Sequence, residues 1–426
     1  MTSDRPGTKV PEEAYVWIWL PGATVPVVAG RITRDGRRLI FNYGQSYLDL
    51  EDRIPIYAPE LPLRSGAIAP GAGLDMPGCL RDAAPDAWGR RVILNRTFGR
   101  KGKDVEIAAL DELTCLLESG SDRTGALDFQ HSPSEYVPRV VQTATLEELL
   151  SAAEKVEQGV PLTPALDQAL FHGTSLGGAR PKAMIRDGDT KMIAKFPSST
   201  DTYNMVKAEY VAMRLAAMAG LNVAPVQLEQ VAGKDVLLVE RFDRARTKDG
   251  WMRKAMVSAL TLFGLDAMMA RYASYEDLAE IIRHRFTSPK STLHELYGRL
   301  VFNVLCGNTD DHARNHAGFW DGEYLTLTPA YDICPQNRSG NVASQAMLIV
   351  GNKRASTLAT CLETAPNFQL SEKAAKDIIA WQISTIRDGW DDICKEAVLT
   401  EVEHKLLAQH IFLNDFIFEG APKGLQ

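Results

Sequence analysis

In the run Gly307-Asn308-Thr309-Asp310-Asp311-His312-Ala313-Arg314-Asn315, an aspartate is followed five residues later by an asparagine. A phosphoryl-transfer loop needs that spacing. A carboxylate orients the attacking hydroxyl and accepts its proton, while a carboxamide on the same loop holds magnesium beside the same phosphate. Asp310 is the candidate base and Asn315 the candidate magnesium ligand. A polar loop in which Asp310 merely caps a helix would show the same residues. A second acidic position sharpens the choice. Asp332 closes Leu327-Thr328-Pro329-Ala330-Tyr331-Asp332, 22 positions on, after the strand-like Tyr324-Leu325-Thr326-Leu327. An aspartate so placed can hold magnesium between ATP phosphates, where alone it would be a turn residue.

Three further segments have to meet this pair. Lys195 lies in the apolar strand Ile193-Ala194-Lys195-Phe196. A buried lysine needs an anion, which a nucleotide phosphate would supply, and Glu209 in the following helix could pair with it. The alternative is an exposed strand lysine and a surface glutamate. Gly177, Gly178, Ala179, Arg180, Pro181 and Lys182 form a small-residue loop whose N–H groups and cation suit phosphate. It fits neither G-x-G-x-x-G nor G-x-x-x-x-G-K-[ST]. Glu240-Arg241-Phe242-Asp243-Arg244 follows an apolar strand, where backbone groups could bind adenine and apolar neighbours stack on it. Asp243 and the arginines equally suit a structural ion-pair set. His312 and His316 are four apart but lack the glutamate of H-E-x-x-H, so a metalloprotease is a poor reading. No G-x-S-x-G elbow is present.

The elements that would position these residues can be read from pattern. Val16–Leu20 and Arg38–Tyr43 are aromatic and β-branched, with Asp35-Gly36 as a turn between them. Helical spacing follows Pro85 and recurs over 106–118. Thr145-Leu146-Glu147-Glu148 is a capping box opening a helix that ends near Gly159. Two strands flank Asp187-Gly188-Asp189-Thr190, a helix covers about 203–219 up to Gly220, and strands follow near 226–230 and 235–240. The pattern from about 255 to 306, and again after 372, is helical. This order fits an α+β, two-lobed body with an N-terminal extension: a β-rich N-terminal subdomain (1–135), a lobe for nucleotide (136–250) and a mostly helical lobe bearing the Asp310 run (251–426).

Composition excludes other classes. At 426 residues, 45% hydrophobic and 24% charged, the chain suits two or three packed soluble units. It has no apolar run long enough for a bilayer and no secretory leader, which predicts a cytoplasmic protein without membrane contact. A net charge of −7 argues against strong intrinsic nucleic-acid binding. The basic clusters Arg90–Lys103 and Arg241–Lys254 read as solvated or phosphate-facing surface. Six scattered cysteines with no C-x-x-C pair read as buried thiols.

Taken together, these segments resemble the HipA family, kinase toxins of bacterial toxin–antitoxin modules. The likeness extends to Asp82-Ala83-Ala84-Pro85-Asp86-Ala87-Trp88-Gly89-Arg90 and Gly120-Ser121-Asp122-Arg123-Thr124-Gly125-Ala126-Leu127. The resemblance implies a two-lobed protein-kinase-like fold and a serine/threonine protein kinase using ATP and magnesium. Asp310 would accept the proton, Asn315 and Asp332 would hold the metal, and Lys195 would bind phosphate. Residues 177–182 would cover the phosphates, with Glu240 to Phe242 on adenine and His312 in the nucleotide site. It also implies autophosphorylation at Ser175 as an off-switch and a protein substrate, with aminoacyl-tRNA synthetases the type case. The implied partner is a small helix-turn-helix, HipB-like antitoxin, through which DNA is bound indirectly. Asp311 stands where the family often has glycine, and Arg180-Pro181 where several members have Gln-Glu. A small-molecule phosphotransferase and a non-catalytic ATP-binding regulatory subunit are the rival readings.

Overall fold

The computed structural model describes residues 10–98, 110–139, 144–170, 177–337 and 342–425. The chain forms two compact units. The first takes Met1–Ala183 with Thr247–Ala255; the second takes Met184–Arg246 and Met256–Gln426.

In the first unit, β1 (Glu13–Ile18), β2 (Val27–Asp35), β3 (Arg38–Tyr43) and β4 (Leu127–Gln130) form a sheet in the order β3-β2-β1-β4. The Asp35-Gly36 turn joins β2 to β3, which pair Asp35 with Arg38. β1 lies inside the sheet, pairs antiparallel with both β2 and β4, and has most of its residues buried. The capping box at Thr145 opens a helix, Leu146–Glu157, with both reciprocal bonds formed. Arg253, from the returning segment, stacks 3.4 Å over the Trp19 ring and donates to the Ser121 carbonyl at 2.8 Å.

This unit is organised around one buried carboxylate. Asp128 accepts from Arg123 Nε (2.8 Å), Arg139 Nη2 (2.8 Å), Gln130 Nε2 (2.8 Å) and Tyr136 OH (3.0 Å). Arg123 is fully buried and also donates to Ser119 Oγ at 2.7 Å and the Ala83 carbonyl at 3.1 Å. Burial alone would raise the Asp128 carboxyl, but the two guanidiniums outweigh it and hold the group below its usual range.

The second unit opens with a sheet in the order β5-β6-β8-β7, formed by β5 (Lys182–Asp187), β6 (Thr190–Lys195), β7 (Val226–Val231) and β8 (Lys234–Glu240). Helix Met205–Met218 packs on β7 and β8. It ends at Gly220, as its sequence predicts. Beyond the ribbon β9 (Arg244–Thr247) and β10 (Gly250–Arg253) comes β11 (Ala255–Ser258), which pairs with β12 (Ala317–Trp320), itself paired with β13 (Leu325–Leu327). The stretch read as helical from 255 therefore starts with a strand. Four residues are too few to show alternation, and the partner lies about sixty positions on. Helices Tyr275–Arg285, Pro289–Leu305 and Glu372–Glu396 make the body of this part.

The second basic cluster is corrected in part. Arg241 and Arg244 are buried, with Asp243 bonding both guanidiniums at 2.8–3.0 Å, so they are internal ion pairs and not solvated surface. All six cysteines are free and buried. No helix among the described residues is long and apolar enough to cross a membrane.

Removing the Asp128 carboxylate strands two guanidiniums. Asp128→Ala is expected to cost about 3–5 kcal/mol in denaturant unfolding. The same group sets an acid limb. Its carboxyl is depressed in the folded state, so its contribution is complete above the ordinary carboxylate range, about pH 4, and fades as pH falls through the lower folded value. An Asp128→Asn variant should start less stable and lose less stability in that acid window.

Candidate active site

Lys195 closes β6, opposite Leu237 of β8. Its side chain is only 12% exposed, so the ammonium must find anions. It finds two. Glu209 Oε1 of helix Met205–Met218 lies 2.5 Å from Nζ, and Asp332 Oδ1 accepts a bond from the same atom. Burial by itself would lower the lysine; Asp332, then Glu209, overcome it and push the group well above its ordinary value. Lys195 is therefore charged at any physiological pH. Glu209, the weaker of the two sequence readings, is one of the best-held residues in the site.

Asp332 sits in the left-handed region at φ +60°. For a residue with a Cβ this costs of order 1–3 kcal/mol, and such strain gathers at functional positions. Its neighbour Tyr331 is fixed by a bond from its hydroxyl to the Arg314 carbonyl (2.6 Å) and by Phe242, 5.5 Å away ring to ring. Phe242 in turn meets Phe319 at 5.9 Å. The aromatic expected near adenine thus joins the strand leaving β8 to the Asp332 turn. The N–H groups of Glu240 and Arg241 are taken up by the carbonyls of Pro225 and Lys191, both at 2.9 Å.

The loop bearing Asp310 is built on its neighbour. Helix Pro289–Leu305 stops at Gly307, φ +70°, where an added Cβ would lie 2.9 Å from the Ile411 carbonyl oxygen. Asn308 folds back onto Asn303 through both backbone and side chain, each at 2.9 Å. Asp311 is buried and accepts from Tyr275 OH and from His316 Nε2 (3.0 Å). His316 is thereby committed to Asp311, and the described residues contain no cluster of three or more metal-ligating groups. Despite its burial, Asp311 is held below the usual carboxylate range, chiefly by His316. Asp310, one residue away, is exposed. Its carboxyl is raised, by desolvation first and then by Asp332 and Asp311, with His312 pulling the other way. Asp310 does not cap the short turn Ala313–Asn315; His312 occupies that cap position, without a side-chain bond. The structural alternative for Asp310 is therefore not what the loop does.

Asn315 Nδ2 points at the Asp310 carbonyl at 3.4 Å, which leaves its carboxamide oxygen as the donor it can offer a metal. Asp332 offers carboxylate oxygens, and its side chain is 43% exposed. Two protein oxygens, completed by phosphate and water, are the donor set of a magnesium site, so these residues fit that ion. His312 Nδ1 is buried with no hydrogen-bond partner among the described residues.

The glycine-rich loop is described with the first unit. Gly178 has φ +98°, a backbone conformation that residues with a Cβ rarely adopt, so glycine suits this position. Its N–H donates to Asp86 Oδ2 at 2.7 Å, and its carbonyl accepts from Trp88 N–H at 3.2 Å. Trp88 Nε1 donates to the Lys182 carbonyl at 2.9 Å, while Lys182 Nζ turns back to the Gly177 carbonyl. Ala179, Arg180 and Pro181 complete the bend. Ser175 lies outside the described residues. The roles of Asp86, Trp88, Tyr275 and Asp311 in shaping these loops were missed by residue reasoning. The only sequence signals were the family-like Asp86-Ala87-Trp88 segment and the Asp310-Asp311 doublet.

This is the arrangement of a phosphoryl-transferring kinase: a strand lysine paired with a helix glutamate and met by Asp332, whose charge in turn is felt by Asp310 on the second acidic loop. Comparison with known proteins gives the same class. Residues 174–390 match the family model of the HipA-like C-terminal domain, and residues 18–130 that of the HipA N-terminal domain. The chain belongs to the HipA family and is a kinase of that family. It is 27% identical over 348 residues to Y4mE of Sinorhizobium fredii, covering 74% of this chain and 76% of that one. It is 25% identical over 147 residues to the serine/threonine-protein kinase toxin HipA of Shewanella oneidensis, covering 31% and 34%. A solved Shewanella oneidensis structure, HipA with HipB and operator DNA, matches with a TM-score of 0.65 at 18% identity, over 92% of this chain and 94% of that one. The fold is accordingly the α+β, two-lobed, kinase-like one.

The buried Asp311 anchor should be measurable. Asp311→Ala leaves His316 and Tyr275 facing an empty acceptor and is expected to cost about 3 kcal/mol or more in urea unfolding. Tyr275→Phe, which deletes one hydroxyl, should cost about 1–2 kcal/mol.

Proposed function

We propose that this chain transfers the terminal phosphoryl group of ATP to a serine or threonine of a cytoplasmic protein, and that it acts as a HipA-like toxin. The single observation that carries this reading is the clamp of Lys195 between Glu209 and Asp332. It presents a permanent cation and a metal-ligating carboxylate on opposite sides of one bond.

In this reading Lys195 orients the phosphates, and Glu209 keeps its ammonium from swinging away. The loop Gly177–Lys182 covers the phosphates with its N–H groups, and His312 approaches the nucleotide from the catalytic loop. The segment Glu240–Phe242 receives adenine through backbone groups left over from the sheet, with Phe242 beside it. Asn315 and Asp332 would hold magnesium, which when bound neutralises phosphate charge. Asp310 orients the acceptor hydroxyl and takes its proton, a task suited to a carboxyl raised above its ordinary value. Ser175 is the proposed autophosphorylation site. A phosphate there places about −1.5 to −2 charges beside a loop meant to receive phosphate, and so shuts the enzyme off.

The division of labour we propose is a family-specific part over 1–135, a nucleotide-binding part over 136–250 and a catalytic part over 251–426. The proposed partner is a small helix-turn-helix antitoxin, in line with the HipB and operator DNA of the Shewanella oneidensis assembly. The substrate class proposed is a cytoplasmic protein, with aminoacyl-tRNA synthetases the first to test.

The test uses labelled ATP and magnesium with the parent, Asp310→Ala and Ser175→Ala proteins. Transfer to protein should fall about 10²–10⁴-fold in Asp310→Ala. Self-labelling should vanish in Ser175→Ala while transfer to other proteins persists. Label on small metabolites alone would replace this reading with a small-molecule phosphotransferase. No transfer at all would leave a nucleotide-binding regulatory protein.

A further inference from the structure

Within the second unit, one surface turn is out of keeping with its surroundings. Met268, Met269 and Tyr272 are 85%, 43% and 51% exposed, all within five residues. Single exposed apolar side chains need no explanation, but three on one short turn do. The turn is well made: Asp266 Oδ1 caps the Met269 N–H at 2.7 Å. Methionine is also the side chain that adapts best to partners of varied shape.

The placement of this turn matters more than its composition. Two hydrogen-bonded lines run from it to the two neighbours of Asp310. Along the first, the Arg271 carbonyl accepts from Arg354 Nη2 (2.8 Å), Arg354 Nη1 donates to the Ala346 carbonyl (3.3 Å), and Ala346 N–H donates to the Thr309 carbonyl (3.1 Å). Along the second, the Ala273 carbonyl and the Tyr275 N–H both pair with Leu348, each at 2.9 Å, and the Tyr275 hydroxyl bonds Asp311. The apolar turn therefore hangs from Thr309 on one side of Asp310 and from Asp311 on the other.

We propose that Met268, Met269 and Tyr272 form the docking shelf for the acceptor polypeptide and take a large apolar side chain close to the phosphorylated hydroxyl. The proposal rests on the kinase reading above and adds to it what the acceptor must look like. Arg271 gives a second criterion. It is exposed, its guanidinium lies 5.0 Å from the Tyr272 ring centre, and it makes no ion pair among the described residues. The preferred acceptor therefore carries a carboxylate beside the apolar residue. Contacts remote from the reacting atoms supply the binding energy that holds the hydroxyl in line, so the shelf decides which proteins are used and leaves the chemical step unchanged.

A positional-scanning peptide library with a fixed serine or threonine, labelled ATP and magnesium tests this with the full-length protein. The parent should select a large apolar residue and an acidic residue at fixed positions near the acceptor. Met268→Asp with Met269→Asp should abolish the apolar selection and raise KM for apolar-flanked peptides about tenfold, with kcat held within roughly twofold. Arg271→Glu should turn the acidic preference into a basic one. Thermal melting of each variant should match the parent, since the side chains are exposed. If the parent labels peptides without regard to flanking residues, or the variants select as the parent does, the shelf is overturned and the kinase reading stands. If the parent labels no peptide but still transfers label to protein, the shelf is overturned and the kinase reading stands; if it labels neither peptide nor protein, both fall.

Discussion

An ammonium group cannot be taken out of water without anions around it, and much of the second unit is arranged to meet that demand at Lys195. The strand sets its position, the following helix brings Glu209, and a strained turn brings Asp332. Two carboxylates against one ammonium leave a net negative site at the point where a metal would bind, while keeping the lysine charged. The helix that carries Glu209 is itself tied down. Tyr210 and Arg214 both bond Glu396, Lys207 Nζ donates to the Val398 carbonyl at 2.7 Å, and Trp381 Nε1 donates to the Ala219 carbonyl at 3.0 Å. The helix is thus bolted along its length to Glu372–Glu396 and the turn after it. The lysine–glutamate pair is fully formed in this structure, held from the strand on one side and from the tied helix on the other.

Both units use a second device of the same kind, a buried carboxylate whose acceptor capacity is filled by charged or hydroxyl donors. Asp128 does this in the first unit and Asp311 in the second. Such groups add little net stability compared with apolar packing, but they tolerate few alternative arrangements, and so they fix loops in one conformation. For the loop that carries Asp310 the effect is direct. Asp311 points inward and is immobilised, so Asp310 is held outward, exposed and next to Asn315. The same registration carries the exposed Met268–Tyr272 turn.

Much of this could be read from residues alone, where local chemistry decides the outcome. The capping box at Thr145, the hairpin over Asp187–Thr190 and the helix ending at Gly220 each depend on residues within a turn or two of one another. The chain folds there as its sequence dictates. The Lys195–Glu209 pairing was legible because an apolar strand makes a lysine conspicuous. What could not be read depends on distant partners. β11 is too short to declare itself without β12; of the two readings open for Arg241 and Arg244, the ion-pair set with the adjacent Asp243 is the one formed. Nothing near Asp311 shows that Tyr275, 36 residues earlier, will meet it. The family likeness supplied roles for Asp310, Asn315 and Asp332 that spacing had only suggested, but it left unread the Asp86 and Trp88 bonds that shape the glycine-rich loop.

We propose that Lys195, Asp332 and Asn315 form a magnesium–nucleotide site. This is tested most directly by calorimetric titration of ATP, with and without magnesium, into the parent protein and into Asp332→Asn. The account predicts that magnesium strengthens ATP binding to the parent and that Asp332→Asn loses that gain while still binding metal-free ATP. An equal gain from magnesium in both proteins would contradict it.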